Sequence, residues 1–129
     1  MNPRAGVVRI SANENRETFA FHLNRTLLVG EKFELEINYR GLARTNEYGL
    51  YEHWTPKFND TRQSFVLASR NFPAGARRWF PCFDEPMKMA TFELTVSHPE
   101  GLTAHSNAEK LKVDELAFGR VTSFFTTTK

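Results

Sequence analysis

Apolar and polar side chains alternate with a period of two along much of the chain, the spacing of a half-buried β-strand. Phe33, Leu35, Ile37 and Tyr39 fall on one face, and Lys32, Glu34, Glu36 and Asn38 on the other. An α-helix would scatter those four apolar residues around its circumference, so the pattern predicts a strand over 32–39. Phe19, Phe21 and Leu23 alternate with Thr18, Ala20 and His22, and Phe92, Leu94 and Val96 with Thr91, Glu93 and Thr95. These runs predict two further strands, and weaker strand signals cover 7–12, 64–68, 111–113 and 121–127. Gly30 marks a turn within 27–31, and loops are expected at 41–49, 56–62, 72–75, 81–86 and 98–102. Short helical turns are expected near 74–78 and 108–111; no window carries a long apolar stripe at helical spacing. Many short strands between turn signals predict an all-β fold, an antiparallel multi-sheet sandwich in one domain over 1–129. The strand-prone run from Phe124 to Thr128 stops at Lys129, so the domain is expected to be incomplete.

Composition narrows the classes of function. Of the 129 residues, 40% are apolar and 25% charged, which argues for a packed core and against disorder. The net charge of +2 is spread along the chain, without the basic stripe of a nucleic-acid module. No run approaches the ~20 apolar residues of a membrane span, so neither nucleic acid nor direct membrane contact is expected of this chain. The N-terminus carries no apolar run of signal-peptide length. Cys82 is the lone cysteine, which excludes an internal disulfide and leaves the compartment open. Asn24-Arg25-Thr26 and Asn59-Asp60-Thr61 are N-x-[ST] sequons, so Asn24 and Asn59 are candidate glycan acceptors in a secretory compartment.

Candidate chemistry is sparse. The four histidines, His22, His53, His98 and His105, form no H-E-x-x-H pair, the helical spacing that holds zinc beside a glutamate base. No metal or cofactor is therefore expected in this chain, and no catalytic residue. Asp84 and Glu85 are adjacent, and neighbours in extended chain point opposite ways, which suits paired acid–base work poorly. A structural role fits better: the carboxylates would accept hydrogen bonds from nearby N–H groups, Arg77 or Arg78 and fix a loop. Cys82, between Pro81 and Phe83, is expected to be a buried thiol with a raised pKa. From residue types alone the reading stops at a β domain with a proline-bounded acidic-aromatic loop, and a self-standing β-sandwich binding module that catalyses nothing remains the alternative.

The run Gly75-Ala76-Arg77-Arg78-Trp79-Phe80-Pro81-Cys82-Phe83-Asp84-Glu85-Pro86-Met87-Lys88-Met89-Ala90-Thr91-Phe92 closely resembles the D-A-R-R-x-F-P-C-F-D-E-P-x-x-K-A-T-F signature of the aminopeptidase N family. Tyr39-Arg40-Gly41 with Gly49-Leu50-Tyr51, then Ser97-His98-Pro99 and Ser106-Asn107, are similar to further landmarks of that family in the same order. The resemblance spans about Phe19 to Lys129 and implies a saddle-like N-terminal β domain, truncated before the catalytic domain. It implies a scaffold and substrate-cleft-lining role in a zinc metallo-aminopeptidase, or a degenerate relative, that removes N-terminal residues from peptides. Zinc is implied for the full-length parent only, and the implied partners are the parent's catalytic domain and, through it, peptide substrates. Both a membrane-anchored extracellular parent and a cytoplasmic one are compatible. Arg77, Phe80, Pro81, Phe83, Asp84, Glu85 and Pro86 match the structural part of the signature. Arg70 falls where the family has a glutamine lining the pocket for the substrate's first side chain, Phe72 replaces a glutamate, and Gly75 replaces the aspartate before A-R-R. An arginine facing a cationic α-amine repels it or demands an acidic partner, so these departures imply unusual specificity or lost peptidase activity in the parent.

Overall fold

The structure, a computed structural model, describes residues 5–43, 45–56 and 63–129. Among these residues seven strands pair antiparallel in three small sheets, with two short 3₁₀ turns and no closed barrel. The fold is all-β and multi-sheet, as the alternation predicts. The chain divides into two compact units, residues 1–86 and 87–129.

The first unit holds two two-stranded sheets. Strand β1 (Val7–Asn13) pairs with β2 (Thr18–Leu23), with Asn13 opposite Thr18 and an irregularity between Val7 and Arg9. The connection is a 3₁₀ turn, Glu14–Arg16, whose Arg16 N–H donates to the Asn13 side chain, the local bond that favours Asn at such a cap. At the open end, the Gly6 N–H donates to Asn24 Oδ1 and the Asn24 N–H to the Gly6 carbonyl, both at 3.0 Å. Strand β3 (Gly49–Pro56) pairs with β4 (Gln63–Arg70), setting Gly49 opposite Arg70 and Trp54 opposite Phe65. The Trp54 and Phe65 ring centroids lie 5.0 Å apart, a favourable cross-strand aromatic pair.

Between the two hairpins the chain turns at 25–31. The Arg25 guanidinium donates to both Glu31 carboxylate oxygens, and the Leu28 N–H donates to Glu31 Oε2 at 2.9 Å. The Arg25 bonds, then the Leu28 bond, hold the Glu31 carboxyl down to about 2. Gly30 takes φ +80° in this turn, as its glycine suggests.

Residues 32–40 differ from expectation: they belong to no ladder. Phe33, Leu35 and Tyr39 are 62%, 42% and 52% exposed. Alternation encodes a strand-competent sequence with one apolar face, but a ladder also needs a partner backbone, and no described strand supplies one. Strand β3 is the converse case. Its Glu52-His53-Trp54 core lacks a clean apolar period, and pairing with β4 defines it.

The second unit is one three-stranded sheet, with β7 (Arg120–Phe125) between β5 (Thr95–Pro99) and β6 (Lys110–Leu116). The central strand is the buried one: Val121 and Phe125 are the buried apolar side chains among the described residues, beside buried Thr122 and Ser123. These polar neighbours are satisfied, since Thr122 Oγ1 lies 2.8 Å from Ser97 Oγ and Ser123 Oγ lies 3.0 Å from His98 Nε2. The run from Phe92 follows the same edge before the regular ladder begins: Phe125 N–H donates to Leu94 O at 3.0 Å and Thr128 N–H to Phe92 O at 2.9 Å. The helical turn expected at 108–111 is absent. Thr126 N–H donates to Glu109 O at 2.8 Å, and β6 starts at Lys110; the β-prone Leu111-Lys112-Val113 run takes the partner that β7 offers.

Candidate functional site

The segment from Arg70 to Pro86 leaves β4, turns sharply and enters the signature loop. Arg70 is the last residue of β4 and is exposed. The Gly75 N–H donates to Asn71 O at 2.7 Å, and a Cβ on Gly75 would lie 3.0 Å from Arg70 O. The turn thus brings the backbones of residues 70, 71 and 75 into contact, which glycine alone permits without displacement. A 3₁₀ turn, Ala76–Arg78, follows where a short helical turn is expected. The Ala74 N–H faces Tyr48 Oη at 3.4 Å, and the Arg78 guanidinium sits 5.1 Å from the Tyr48 ring centroid. This cation–π contact ties the turn to the start of β3.

The two signature arginines therefore part. Arg78 goes to Tyr48, while Arg77 is gripped by Asp84: Nε donates to Oδ2 at 2.7 Å, the Arg77 N–H to the same oxygen at 3.2 Å, and Nη2 to the Asp84 carbonyl at 3.4 Å. Glu17 Oε2 lies 3.7 Å from Arg77 Nη1. Burial pushes the Asp84 carboxyl up, but the hydrogen bonds from Arg77, its positive charge and the Ala76 N–H hold it below the ordinary carboxylate range. Asp84 closes the loop over seven residues; Glu85 is exposed and takes no part in that grip. Asp84→Ala is expected to cost about 1–2 kcal/mol, less than a buried charge pair because Arg77 is partly in water. Urea unfolding followed by Trp79 fluorescence measures it, and a loss under ~0.5 kcal/mol, the size of an ordinary surface change, would remove this structural role.

The remaining signature residues spread along the loop. Phe80 is half-buried, with its ring 5.3 Å from that of Trp79 in an edge-on contact. Pro81, Phe83 and Pro86 are exposed. Cys82 is exposed as well, which corrects the expectation of a buried thiol: no described strand packs over the proline-bounded loop. Desolvation still raises its pKa, with Asp84 adding and Arg77 opposing. Asn24 is exposed at the end of the β1–β2 hairpin, and Asn59 lies outside the described residues. Of the two residues that tie this turn to β3, Gly49 falls in the Gly49-Leu50-Tyr51 landmark, whereas Tyr48 carries no sequence signal that it receives Arg78.

The chain's histidines do not fit a zinc centre. His22 Nε2 lies 3.2 Å from Arg9 Nη2 and 2.9 Å from Ser11 Oγ; His98 uses both ring nitrogens, on Pro99 O and Ser123 Oγ. Among the described residues no group of three or more His, Cys, Asp or Glu side chains comes together to hold a metal. No described helix is long and apolar enough to cross a membrane.

Comparison with known proteins places this geometry. Residues 4–129 match the Peptidase M1 N-terminal domain. The chain is 37% identical to aminopeptidase N of Bos taurus over 92 residues, 70% of this chain and 9% of that protein. It is 31% identical to aminopeptidase N of Homo sapiens over 120 residues, 90% of this chain and 12% of that protein. Aminopeptidase Q of Felis catus is 37% identical over 94 residues, 72% of this chain and 9% of that protein. The chain spans about a tenth of the length of these relatives. With the structural signature residues from Arg77 to Pro86 in place and the match running almost end to end, the chain belongs to the Peptidase M1 N-terminal domain family.

Proposed function

We propose that this domain is the non-catalytic scaffold of a zinc aminopeptidase, lining part of the cleft where a peptide's first residue binds. Its partners are the parent's catalytic domain and, through it, peptides. The observation that carries the reading is the position of Arg70. It stands exposed at the end of β4, next to a turn whose backbone is fixed by Gly75 and clamped through Arg77 and Asp84. A side chain on such a support is held in place rather than left to a mobile loop, which is what a specificity contact requires. The guanidinium disfavours a cationic α-amine beside it and favours substrates that bring an acidic first side chain.

The test uses the full-length parent and aminoacyl-naphthylamides. Arg70→Gln is expected to lower KM for a neutral first residue by about tenfold, the equivalent of ~1.4 kcal/mol, with kcat little changed, and to raise it for an acidic one. A KM that ignores residue 70 for both substrates removes Arg70 from the cleft. The isolated chain, with zinc added, is expected to give no turnover; chelator-sensitive turnover would overturn the scaffold reading.

A further inference from the structure

Tyr48 stands immediately before β3, half-buried, and touches the turn after β4 at two places. Its hydroxyl lies 3.4 Å from the Ala74 nitrogen, and its ring centroid 5.1 Å from Arg78 Cζ. Between those two residues sits Gly75, packed on the backbone of Arg70. We infer that Tyr48 is a positioning residue for Arg70: it holds the 74–78 turn against the end of β4, and so fixes where the base of the Arg70 side chain stands relative to a peptide's first residue. That role rests on the cleft-lining reading of Arg70 and adds to it the residue that supports the contact.

The two residues are coupled through backbone. Arg70 closes β4 opposite Gly49, the neighbour of Tyr48. The chain then folds back on itself. The Gly75 N–H donates to Asn71 O at 2.7 Å, and a Cβ on Gly75 would lie 3.0 Å from Arg70 O and 3.2 Å from Asn71 Cα. At that spacing residue 75 cannot move toward β4 without pushing residue 70, nor away from it without releasing it. What supports residue 75 therefore decides the place of residue 70. Gly75 gives the 3₁₀ turn no side-chain cap. The family signature carries an aspartate there, but in this turn its Cβ would press on the Arg70 carbonyl. Support comes from outside instead. Asp84 takes Arg77 on one side. On the other, Tyr48 takes both flanks of Gly75, Ala74 before it and Arg78 after it. The base of Arg78 is fixed against β3, since a Cβ on Gly49 would lie 2.5 Å from Arg78 Cβ. The guanidinium therefore reaches the ring at a smaller ordering cost than a free arginine. At 3.4 Å the hydroxyl contact is long for a hydrogen bond, so the hold of the ring on Arg78 carries most of the support.

The experiment uses the full-length parent and aminoacyl-naphthylamides with a neutral or an acidic first residue. The quantity read is the ratio of the two KM values, neutral over acidic, with kcat for each; circular dichroism checks that each variant folds. Y48L removes the ring and is expected to lower the ratio about threefold with kcat little changed, the size a partly exposed cation–π contact supplies. Y48F keeps the ring and is expected to keep the ratio. R78M removes the same contact from its exposed side and is expected to match Y48L, with Y48L/R78M no lower than either single variant. If Y48L does not fold, R78M decides the test. In an R70Q background Y48L is expected to change the ratio no further, because Tyr48 acts on it through Arg70. Unchanged ratios in Y48L and R78M, where R70Q moves the ratio, overturn the role of Tyr48 and leave Arg70 in the cleft. A fall that persists in the R70Q background overturns that role too, as does a lower kcat for both substrates at constant ratio. An R70Q variant with an unchanged ratio removes Arg70 from the cleft, and the role of Tyr48 with it.

Discussion

Gly49→Ala is expected to destabilise the unit formed by residues 1–86 by about 3 kcal/mol, the sum of a backbone and a packing term of roughly 1–2 kcal/mol each. Gly49 has φ +76°, a left-handed conformation that costs an L side chain energy at any site. It is also buried against the 3₁₀ turn of the signature: a Cβ there would lie 2.5 Å from Arg78 Cβ and 3.2 Å from Gly75 O. The clash is with the base of the Arg78 side chain and a carbonyl, so no flexible end can swing aside. The start of β3 and the 76–78 turn must separate, and Arg78 then leaves the Tyr48 ring. Trp54 and Trp79 both lie in this unit, so urea unfolding followed by their fluorescence reads the loss directly. A double-mutant cycle divides the two terms. R78G removes the facing Cβ, so G49A/R78G is expected to be less destabilised than the sum of its singles by about 1–2 kcal/mol. Strict additivity would mean that the backbone conformation carries the whole effect and that the contact with Arg78 carries none.

The same contact shows where sequence reasoning stops. Strand β2 is legible because its alternation is local, β1, β4, β6 and β7 show as weaker strand-prone runs, and the turn at Gly30 is marked by its glycine. The loop signature is legible as a string, but its wiring is not. Asp84 could take Arg77 or Arg78 on spacing alone, and the choice is made by Tyr48, about thirty residues upstream, whose ring accepts Arg78 and leaves Arg77 to Asp84. Cys82 is exposed for a related reason: aromatic neighbours in sequence do not bury a thiol unless another element covers the loop. Residues 32–40 mark the opposite failure. Their pattern is the clearest in the chain, yet a strand is a property of two backbones, and the sequence of one cannot name the other. Arg70 is picked out by counting back from Ala76 in the signature, and that string says nothing of what its guanidinium meets.

Phe125→Ala is expected to remove about 3 kcal/mol from the second unit, toward the lower end for a buried phenylalanine because a thin three-stranded sheet can close part of the gap. Phe125 is 3% exposed and sits on the central strand. Its N–H donates to Leu94 O, and the Lys110 ammonium lies 5.8 Å from its ring centroid. Only Val121 joins it as a buried apolar residue among the described ones, so the ring carries a large share of the apolar burial that offsets chain entropy. Residues 87–129 contain neither tryptophan nor tyrosine, which makes fluorescence blind to this unit. Amide exchange at Val121, Thr122 and Ser123 reads it instead. The expected change is about a hundredfold faster exchange, or the unstructured rate if the unit holds less than that stability to begin with. Phe125→Leu, which keeps most of the volume, is expected to cost no more than about 1.5 kcal/mol. Equal losses in the two variants would shift the cause from the volume of the ring to its specific contact with Lys110, and unchanged exchange in Phe125→Ala would mean that β7 is held by its hydrogen bonds to β5 and β6 without a hydrophobic centre.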